Sequence, residues 1–241
     1  MLFRIHVPFL LISIILSFFC LQKVQVPSLL NAGVTTCYDF KFAHLNLNFN
    51  LSYTEIKGSN TMYFDAICSV DSIVVDLFEN FHVDSVLLND HPISFFRKKN
   101  EILIIKDLDK ESSFVIEVFY SGFPTIAKNP PWSGGIVLSK DHQNLDWLGV
   151  ACQKESGAIW FPSKHDLSDE PDSMRISLSV PMPYLAISNG TLMSVQRDKN
   201  YYSNNIFEWF VANPINNYNV TFNIAKYENF RDTLMGCDGY L

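Results

Sequence analysis

Along most of the chain, apolar and polar side chains alternate with a period of two residues. The alternation is strongest at 38–53, where leucine, phenylalanine and tyrosine take turns with asparagine and serine. A period of two places successive side chains on opposite faces of a β-strand, so this segment predicts a strand with one buried face. Phe40 and Phe42 are out of register with the later apolar positions, which predicts a β-bulge between His44 and Leu45.

Shorter alternating segments continue towards the end of the chain, separated by polar turns at spacings of about ten residues. Residues 55–59, which include Gly58, are predicted to form a turn, and Asn189-Gly190 predicts a second, tight turn. Residues 121–144 are rich in proline and glycine and predict a surface loop. Further strands are expected at 61–66, 72–78, 83–88, 93–97, 101–105, 113–120, 174–180, 184–188, 206–211 and 218–227.

This order of elements predicts an all-β fold, either an antiparallel β-sandwich or a curved sheet. No window before Ser121 has a helical period. The 48% hydrophobic fraction is large enough to fill a core, which argues against disorder. The net charge of −7 and the absence of a basic stripe argue against a nucleic-acid-binding surface.

The amino terminus has the features of an export signal. Arg4 and His6 precede an apolar run at 7–19, which is short for a bilayer span but long enough for the core of a signal peptide. Residues 1–24 are therefore expected to be a signal peptide, with an uncleaved membrane anchor as the alternative. The mature domain is expected at 35–241, and the protein to be exported: periplasmic, secreted or membrane-anchored.

The five cysteines are Cys20, Cys37, Cys68, Cys152 and Cys237. If Cys20 leaves with the signal peptide, the other four permit two disulfides in an oxidising compartment. The interpretation that we favour from the sequence is that they are mostly buried free thiols. No C-x-x-C motif occurs, so a zinc ribbon or a thioredoxin-like site has no support.

An acidic loop follows position 164 and contains Asp166, Asp169, Glu170 and Asp172, together with His165. The cluster could be a metal loop or, with Asp169 or Glu170, the carboxylate pair of a glycosidase. The interpretation that we favour is a turn in which the aspartates accept hydrogen bonds from local backbone amides.

Other sequence signals for catalysis are missing. The sequence contains no H-E-x-x-H, no G-x-S-x-G, no Walker loop and no G-x-G-x-x-G. The tryptophans could form a sugar-binding platform, but such residues are more often core or interface anchors. They are Trp132, Trp147, Trp160 and Trp209.

Several segments together resemble the amino-terminal domain of aminopeptidase N-like zinc metallopeptidases. The segment from Cys152-Gln153 through Phe161-Pro162 to Asp169-Glu170-Pro171 carries most of the resemblance, and its long acidic loop is similar to a bacterial branch of that family. The stretches YDFKFAHLNLNFNL, YSGFP, PPWSGG and PINNYNVTFNIAKY agree with it. The resemblance covers 38–232.

The resemblance implies a saddle-like β domain packed against a separate thermolysin-like domain. That second domain would carry a G-x-M-E-N strand and the H-E-x-x-H zinc site, and neither motif occurs in this sequence. In the family, a Gln or Glu nine residues before the F-P proline helps to bind the free α-amine of the substrate. Gln153 has this spacing from Pro162. The alternative for Gln153 is an interior side chain satisfied by the backbone.

The sequence departs from the family pattern at Ala151, where a Gln is common, and at Ser163, where a Cys is common. These departures affect the expected geometry of the site more than the identity of the domain. We expect an exported domain that is inactive alone, binds no zinc itself and contacts both a catalytic domain and a peptide amino terminus. The ending RDTLMGCDGYL indicates truncation, and an exposed apolar patch is expected. The alternative is a stand-alone module that binds peptides or glycans.

Overall fold

The computed structural model describes residues 35–230 and the backbone of 235–236 and 239–240. The predicted signal peptide at 1–24, Cys20 and Cys237 lie outside the described residues. Strands account for most of the regular structure, as the alternating pattern predicts. The strands are β1 Tyr38–Asn50, β2 Glu55–Ala66, β3 Val70–Asp76, β4 Phe81–Leu88, β5 His91–Pro92, β6 Phe96–Lys98, β7 Glu101–Leu108, β8 Ser113–Gly122, β9 Gly135–Lys140, β10 Asp146–Ala151, β11 Ser163–Lys164, β12 Ser173–Pro181, β13 Leu185–Ser188, β14 Thr191–Arg197, β15 Asn204–Val211, β16 Phe222–Ala225, β17 Met235–Gly236 and β18 Gly239–Tyr240.

One eight-stranded sheet organises the domain, in the order β14-β15-β12-β1-β2-β8-β4-β5. Most neighbours in this sheet are antiparallel, but the central pair β1 and β12 is parallel, with Leu45 opposite Ile176 and Leu47 opposite Leu178. The prediction of an all-β fold with antiparallel sheets is confirmed, and the parallel pair of β1 and β12 is an exception that it did not include. Periodicity reports which face of a strand is buried but not the direction of its partner, which explains the error.

Two four-stranded sheets cover the large sheet: β11-β3-β7-β6 and β13-β16-β10-β9. The hydroxyl of Tyr38, on β1, lies 3.4 Å from the Val74 carbonyl oxygen of the first small sheet. Further along β1, the ring of Phe49 lies 4.7 Å from that of Phe222 in the second small sheet. The apolar face of β1 is therefore buried against both small sheets, which places the hydrophobic core between the layers.

Two local predictions in the first hairpin are wrong. The register shift between β1 and β2 falls between Phe40 and Phe42, not between His44 and Leu45. Residues 55–59, predicted as a turn, are the start of β2, and the turn is at 51–54. A Cβ at position 58 would overlap the Asn46 carbonyl oxygen of β1, so glycine is the residue that fits at this position of the strand. The glycine indicates close approach of two backbones, not a turn.

The predicted surface loop at 121–144 contains β9, and its partner β10 follows directly. Asn189-Gly190 does form a turn, with Gly190 at φ +85°, but it connects two different sheets. Strand β14 was missed because its residues are almost all exposed and its alternation is weak. In the part of the chain that the structure describes, no helix is long and apolar enough to cross a membrane.

Candidate functional site

Residues 157–164 run through the interior of the domain and connect the exposed turn at 153–155 to the acidic loop. The 3₁₀ helix Gly157–Ile159 begins this segment, and every residue from it to Lys164 is buried. The Trp160 carbonyl accepts a hydrogen bond of 2.9 Å from the Tyr120 hydroxyl. The Pro162 carbonyl accepts one of 2.7 Å from the Asn60 amide. These buried hydrogen bonds join the middle of the segment to strands β8 and β2 of the large sheet and fix its position there.

Gln153 lies in the turn that precedes this segment, between β10 and the 3₁₀ helix. Its side chain is exposed and has no hydrogen-bond partner among the described residues. The alternative of an interior glutamine satisfied by the backbone is therefore wrong, because the side chain lies in an exposed turn that follows the end of β10 and the buried Cys152. The assignment of Gln153 to amine binding stays a prediction.

Glu155 belongs to the same turn, and sequence reasoning missed it. Its side chain is half-buried, and its Oε2 is shielded from solvent without a hydrogen-bond partner. The carboxylate packs against Gly134, where a Cβ would overlap it. The indole Nε1 of the fully buried Trp160 also has no hydrogen-bond partner. A single acid in a turn resembles ordinary surface polarity, so only the packing reveals this carboxylate.

The acidic loop is fastened to the domain by a buried ion pair. Lys164 is 2% exposed, and its ammonium group contacts Asp169, the Tyr38 carbonyl at 2.6 Å and the face of the Tyr38 ring at 4.5 Å. Asp169 also accepts a hydrogen bond of 3.1 Å from the Phe40 amide. Burial is the main cause that raises the pKa of Asp169, and Lys164 opposes it. The prediction that the aspartates cap local amides is wrong for Asp169, since the backbone amide that it accepts from belongs to Phe40, far away in the sequence.

Asp166 and Asp172 of the loop each have a partner of their own. Asp166 accepts a hydrogen bond of 2.9 Å from the Ser168 amide, which lowers its pKa and confirms the local-capping prediction for this residue. His165 Nδ1 lies 2.8 Å from Asp76 at the end of β3. Burial raises the pKa of Asp76, with His165 opposing that effect. Several separate contacts therefore hold the loop against the domain, which is typical of a loop with a structural role.

No group of three or more His, Cys, Asp or Glu side chains within 35–230 is arranged to hold a metal ion. Asp169, proposed for a carboxylate pair, is occupied by Lys164 and the Phe40 amide. The zinc that the family resemblance implies has no ligand set among these residues, so it does not fit this part of the chain. No chemical step can be assigned to zinc here.

The cysteine prediction is wrong for one pair. Cys37 and Cys68 form a disulfide that ties the start of β1 to the turn after β2. Cys152 is a buried free thiol, as predicted. It contacts the Tyr218 carbonyl at 3.2 Å, and burial raises its pKa to about 11. A thiol with so high a pKa is not a nucleophile at neutral pH.

Three of the four tryptophans match the prediction of core or interface anchors. Trp160 is fully buried, whereas Trp147 and Trp209 are half-buried and donate hydrogen bonds to the Tyr227 hydroxyl and the Ala186 carbonyl. Trp132 differs, because it is 75% exposed in the loop before β9.

The fold is similar to that of solved M1 zinc metallopeptidases. The M1 zinc metallopeptidase from Deinococcus radiodurans matches with a TM-score of 0.67 and 14% identity, over 83% of this chain and 45% of that one. A two-domain M1 zinc metallopeptidase bound to L-arginine matches with a TM-score of 0.64 and 15% identity, over 78% and 42%. A Deinococcus radiodurans mutant enzyme bound to a Tyr-Ser-Ala substrate matches with a TM-score of 0.63 and 14% identity, over 78% and 42%.

At 14–15% sequence identity, the structural similarity to these enzymes shows a shared fold and no more. The chain spans less than half the length of the structures it matches. No protein-family model and no curated protein matches this sequence.

Proposed function

We propose that this chain is the amino-terminal domain of an exported zinc aminopeptidase and contributes to the pocket that receives the amino terminus of a peptide. The observation that carries the proposal is Gln153. It is an exposed, unpartnered amide at the start of a segment fixed in the interior, and its spacing from Pro162 is that of the family's amine-binding residue. The shared fold with M1 zinc metallopeptidases supports the same conclusion.

The role proposed for Gln153 follows from its chemistry. The amide oxygen can accept a hydrogen bond from an ammonium group, and an interaction with a charged donor is stronger than one between neutral groups. Because the buried segment 157–164 holds the turn in place, the amide would be positioned before the ligand arrives. Peptide-bond cleavage would require a zinc-bearing domain that this sequence does not contain, so the chain alone is expected to be inactive.

An exposed apolar surface supports docking of such a domain. A groove of about 330 Å³ is lined by β13, β14, β15 and the segment 227–230 that follows β16. Leu192 and Met193, on the edge strand β14, are 43% and 58% exposed, and Phe230 is 86% exposed. Contiguous exposed apolar surface is typical of a protein–protein contact. The segment 227–230 forms one wall of this groove.

Export is supported by two independent features. The apolar run at 7–19 has the length of a signal-peptide core. The Cys37–Cys68 disulfide is of a kind that persists in oxidising compartments and is rare in the reducing cytosol.

The gene sequence beyond the codon for Leu241 tests the proposal directly. An H-E-x-x-H motif downstream, in phase or one frameshift away, would support an amino-terminal domain of an aminopeptidase. Intergenic sequence or an unrelated gene would contradict it. Hydrolysis of an aminoacyl anilide by the purified 241-residue chain with zinc would also contradict it, since no activity is expected.

In an intact enzyme that contains this domain, Gln153→Ala should raise KM for a tripeptide substrate about tenfold, because one hydrogen bond to an ammonium group is lost. Gln143→Ala is the matched control, since Gln143 is also exposed in a turn. Steady-state kinetics measures both variants. Unchanged KM and kcat for Gln153→Ala would contradict the assignment of Gln153 to binding of the substrate amine.

A stand-alone binding module is the second candidate, favoured by the exposed Trp132. An exposed aromatic face can stack on a sugar ring or an apolar side chain. Saturable binding of a glycan or peptide by the monomeric chain, abolished by Trp132→Ala, would favour this candidate. Retention of binding in that variant would exclude the role of Trp132.

A further inference from the structure

The Arg97 side chain is half-buried, yet it has no carboxylate partner among residues 35–230. Its Nη2 donates hydrogen bonds of 2.6 and 2.8 Å to the Leu77 and Phe78 carbonyls, which are neutral acceptors. Its Nη1 is covered and has no hydrogen-bond partner there. Lys41 and Lys164, the other two cations of 35–230 that are not exposed, each pair with an aspartate. A partly desolvated charge without a counter-ion is costly, so an anion placed near Arg97 would be stabilised.

Arg97 lines a cavity of about 400 Å³ that lies between the edges of two sheets. One side is the beginning of β4 in the large sheet, where β5 pairs only with Leu87 and Leu88 and leaves the edge at 81–85 open. The opposite side is β6, the edge strand of the first small sheet, with the residues that flank it. The cavity shares no lining residue with the turn at 153–155 or with the groove lined by β13, β14 and β15. It is therefore a separate candidate site.

Positive charges outnumber negative ones along the lining of this cavity. Lys99 lines it, is exposed and makes no ion pair with a described residue. Glu79 is the one carboxylate among the described residues that line it. Burial lowers the pKa of Arg97, and the charges of Glu79 and Asp76 oppose that effect. Because an arginine stays charged at neutral pH, two fixed positive charges and one negative charge surround the cavity, in a chain whose net charge is −7.

The rest of the cavity wall is apolar. Phe81 and Val83, on β4, are buried, and Phe95, which precedes β6, is half-buried. Apolar walls with a few charged groups are typical of sites for small organic molecules. Apolar walls also lower the local dielectric constant, which strengthens the attraction between Arg97 and an anion that enters. This attraction does not require a hydrogen bond from the covered Nη1.

We propose that this cavity binds an organic carboxylate with an apolar body, with Lys99 as the accessible hydrogen-bond donor and Arg97 as a fixed positive charge. The carboxylate would supply the counter-ion that Arg97 lacks, and the apolar body would pack on Phe81 and Phe95. The volume lies within the range of small-molecule sites, about 300–1,000 Å³. The inference does not rest on the proposed function, because it uses none of the same residues.

Titration of the purified chain with benzoate and with benzamide tests this inference. The two probes have nearly the same shape, but only benzoate is charged. Benzoate should shift the backbone amide NMR signals of 79–83 and 95–99, and benzamide should bind at least about fivefold more weakly. Lys99→Gln removes the accessible charge and should weaken benzoate binding about fivefold. Lys98→Gln is the matched control, since Lys98 is exposed but does not line the cavity, and it should leave the Kd unchanged.

Glu79→Gln should change the Kd in the opposite direction. It removes the carboxylate of the lining, so benzoate should bind about twofold more tightly. Arg97→Gln should weaken benzoate binding, and an amide spectrum like that of the wild type shows that this variant is folded. Equal binding of benzoate and benzamide would overturn the inference, and so would equal effects of Lys99→Gln and Lys98→Gln. Inorganic phosphate that binds at 79–83 more tightly than benzoate would contradict the organic carboxylate as the ligand class.

Discussion

At the scale of single residues, the Lys164–Asp169 pair illustrates how burial changes the importance of a salt bridge. A buried ion pair gives little net stability relative to apolar residues, but removal of one partner leaves an unpaired charge in the interior. Lys164 is 2% exposed and Asp169 19%, so water compensates little for a lost partner.

Asp169→Asn should therefore lower the free energy of unfolding by about 3 kcal/mol, because the Lys164 ammonium loses its counter-ion. Urea denaturation measures the change. Asp172→Asn is the matched control, since Asp172 pairs with Lys41 at 2.6 Å on the surface, with 58% and 37% exposure. The control should cost less than about 0.5 kcal/mol. Equal effects of the two substitutions would contradict this account of the buried pair.

His44 gives the fold a pH dependence. It is half-buried on β1, with Nε2 3.1 Å from the Ser177 hydroxyl. Burial, and then the charge of Arg175, lower its pKa below 6.5. In the window between the two pKa values the unfolded chain binds more protons at this site than the folded chain. Stability should therefore fall as the pH drops from about 6.5 towards the folded pKa.

His44→Gln should remove this part of the pH dependence of the unfolding free energy. Urea denaturation at a series of pH values from about 7.5 downwards measures the slope, because the window begins near the ordinary histidine pKa of about 6.5. His142→Gln is the control, because His142 is exposed. A slope unchanged by His44→Gln would show that other groups cause the pH dependence.

At the scale of elements, the hairpin of β1 and β2 is the part of the large sheet most sensitive to backbone spacing. Gly58→Ala should lower the unfolding free energy by about 2 kcal/mol, since the added Cβ overlaps the Asn46 carbonyl oxygen and forces the strands apart. Lys57→Ala, at the exposed neighbour on the same strand, should change it by less than about 0.5 kcal/mol. Thermal unfolding measures both, and equal stability of the two variants would contradict the close approach.

At the scale of the whole molecule, the groove between β13, β14 and β15 should make the isolated chain self-associate. Strand β14 is an edge of the large sheet and exposes Leu192, Met193 and Val195. An exposed apolar edge strand is a common route to association.

Leu192→Lys should reduce this self-association, because it places a charge inside the groove. Sedimentation velocity over a range of protein concentrations measures it. Gln196→Lys adds the same charge to an exposed polar position of β14 and should have little effect. Self-association that persists in Leu192→Lys and disappears in Gln196→Lys would place the contact elsewhere.

The sequence alone determined the class of the fold. Alternation with a period of two predicted strands at β1, β8, β12 and β15, because burial of one sheet face requires it. It also singled out Gln153 through spacing and resemblance, and it predicted that Cys152 is buried. These properties depend on residues close in sequence, whose pattern the chain itself displays.

Only the tertiary structure decided what depends on distant partners. The parallel pairing of β1 with β12, the Cys37–Cys68 disulfide and the hydrogen bond from the Phe40 amide to Asp169 each join segments that no local pattern connects. The unpartnered carboxylate of Glu155 is of the same kind, because it is defined by the packing of Gly134 against it. Which residues are buried together, and which segments contact each other, depends on how the sheets pack. The pattern of apolar and polar residues along the chain does not specify which sheets pack together.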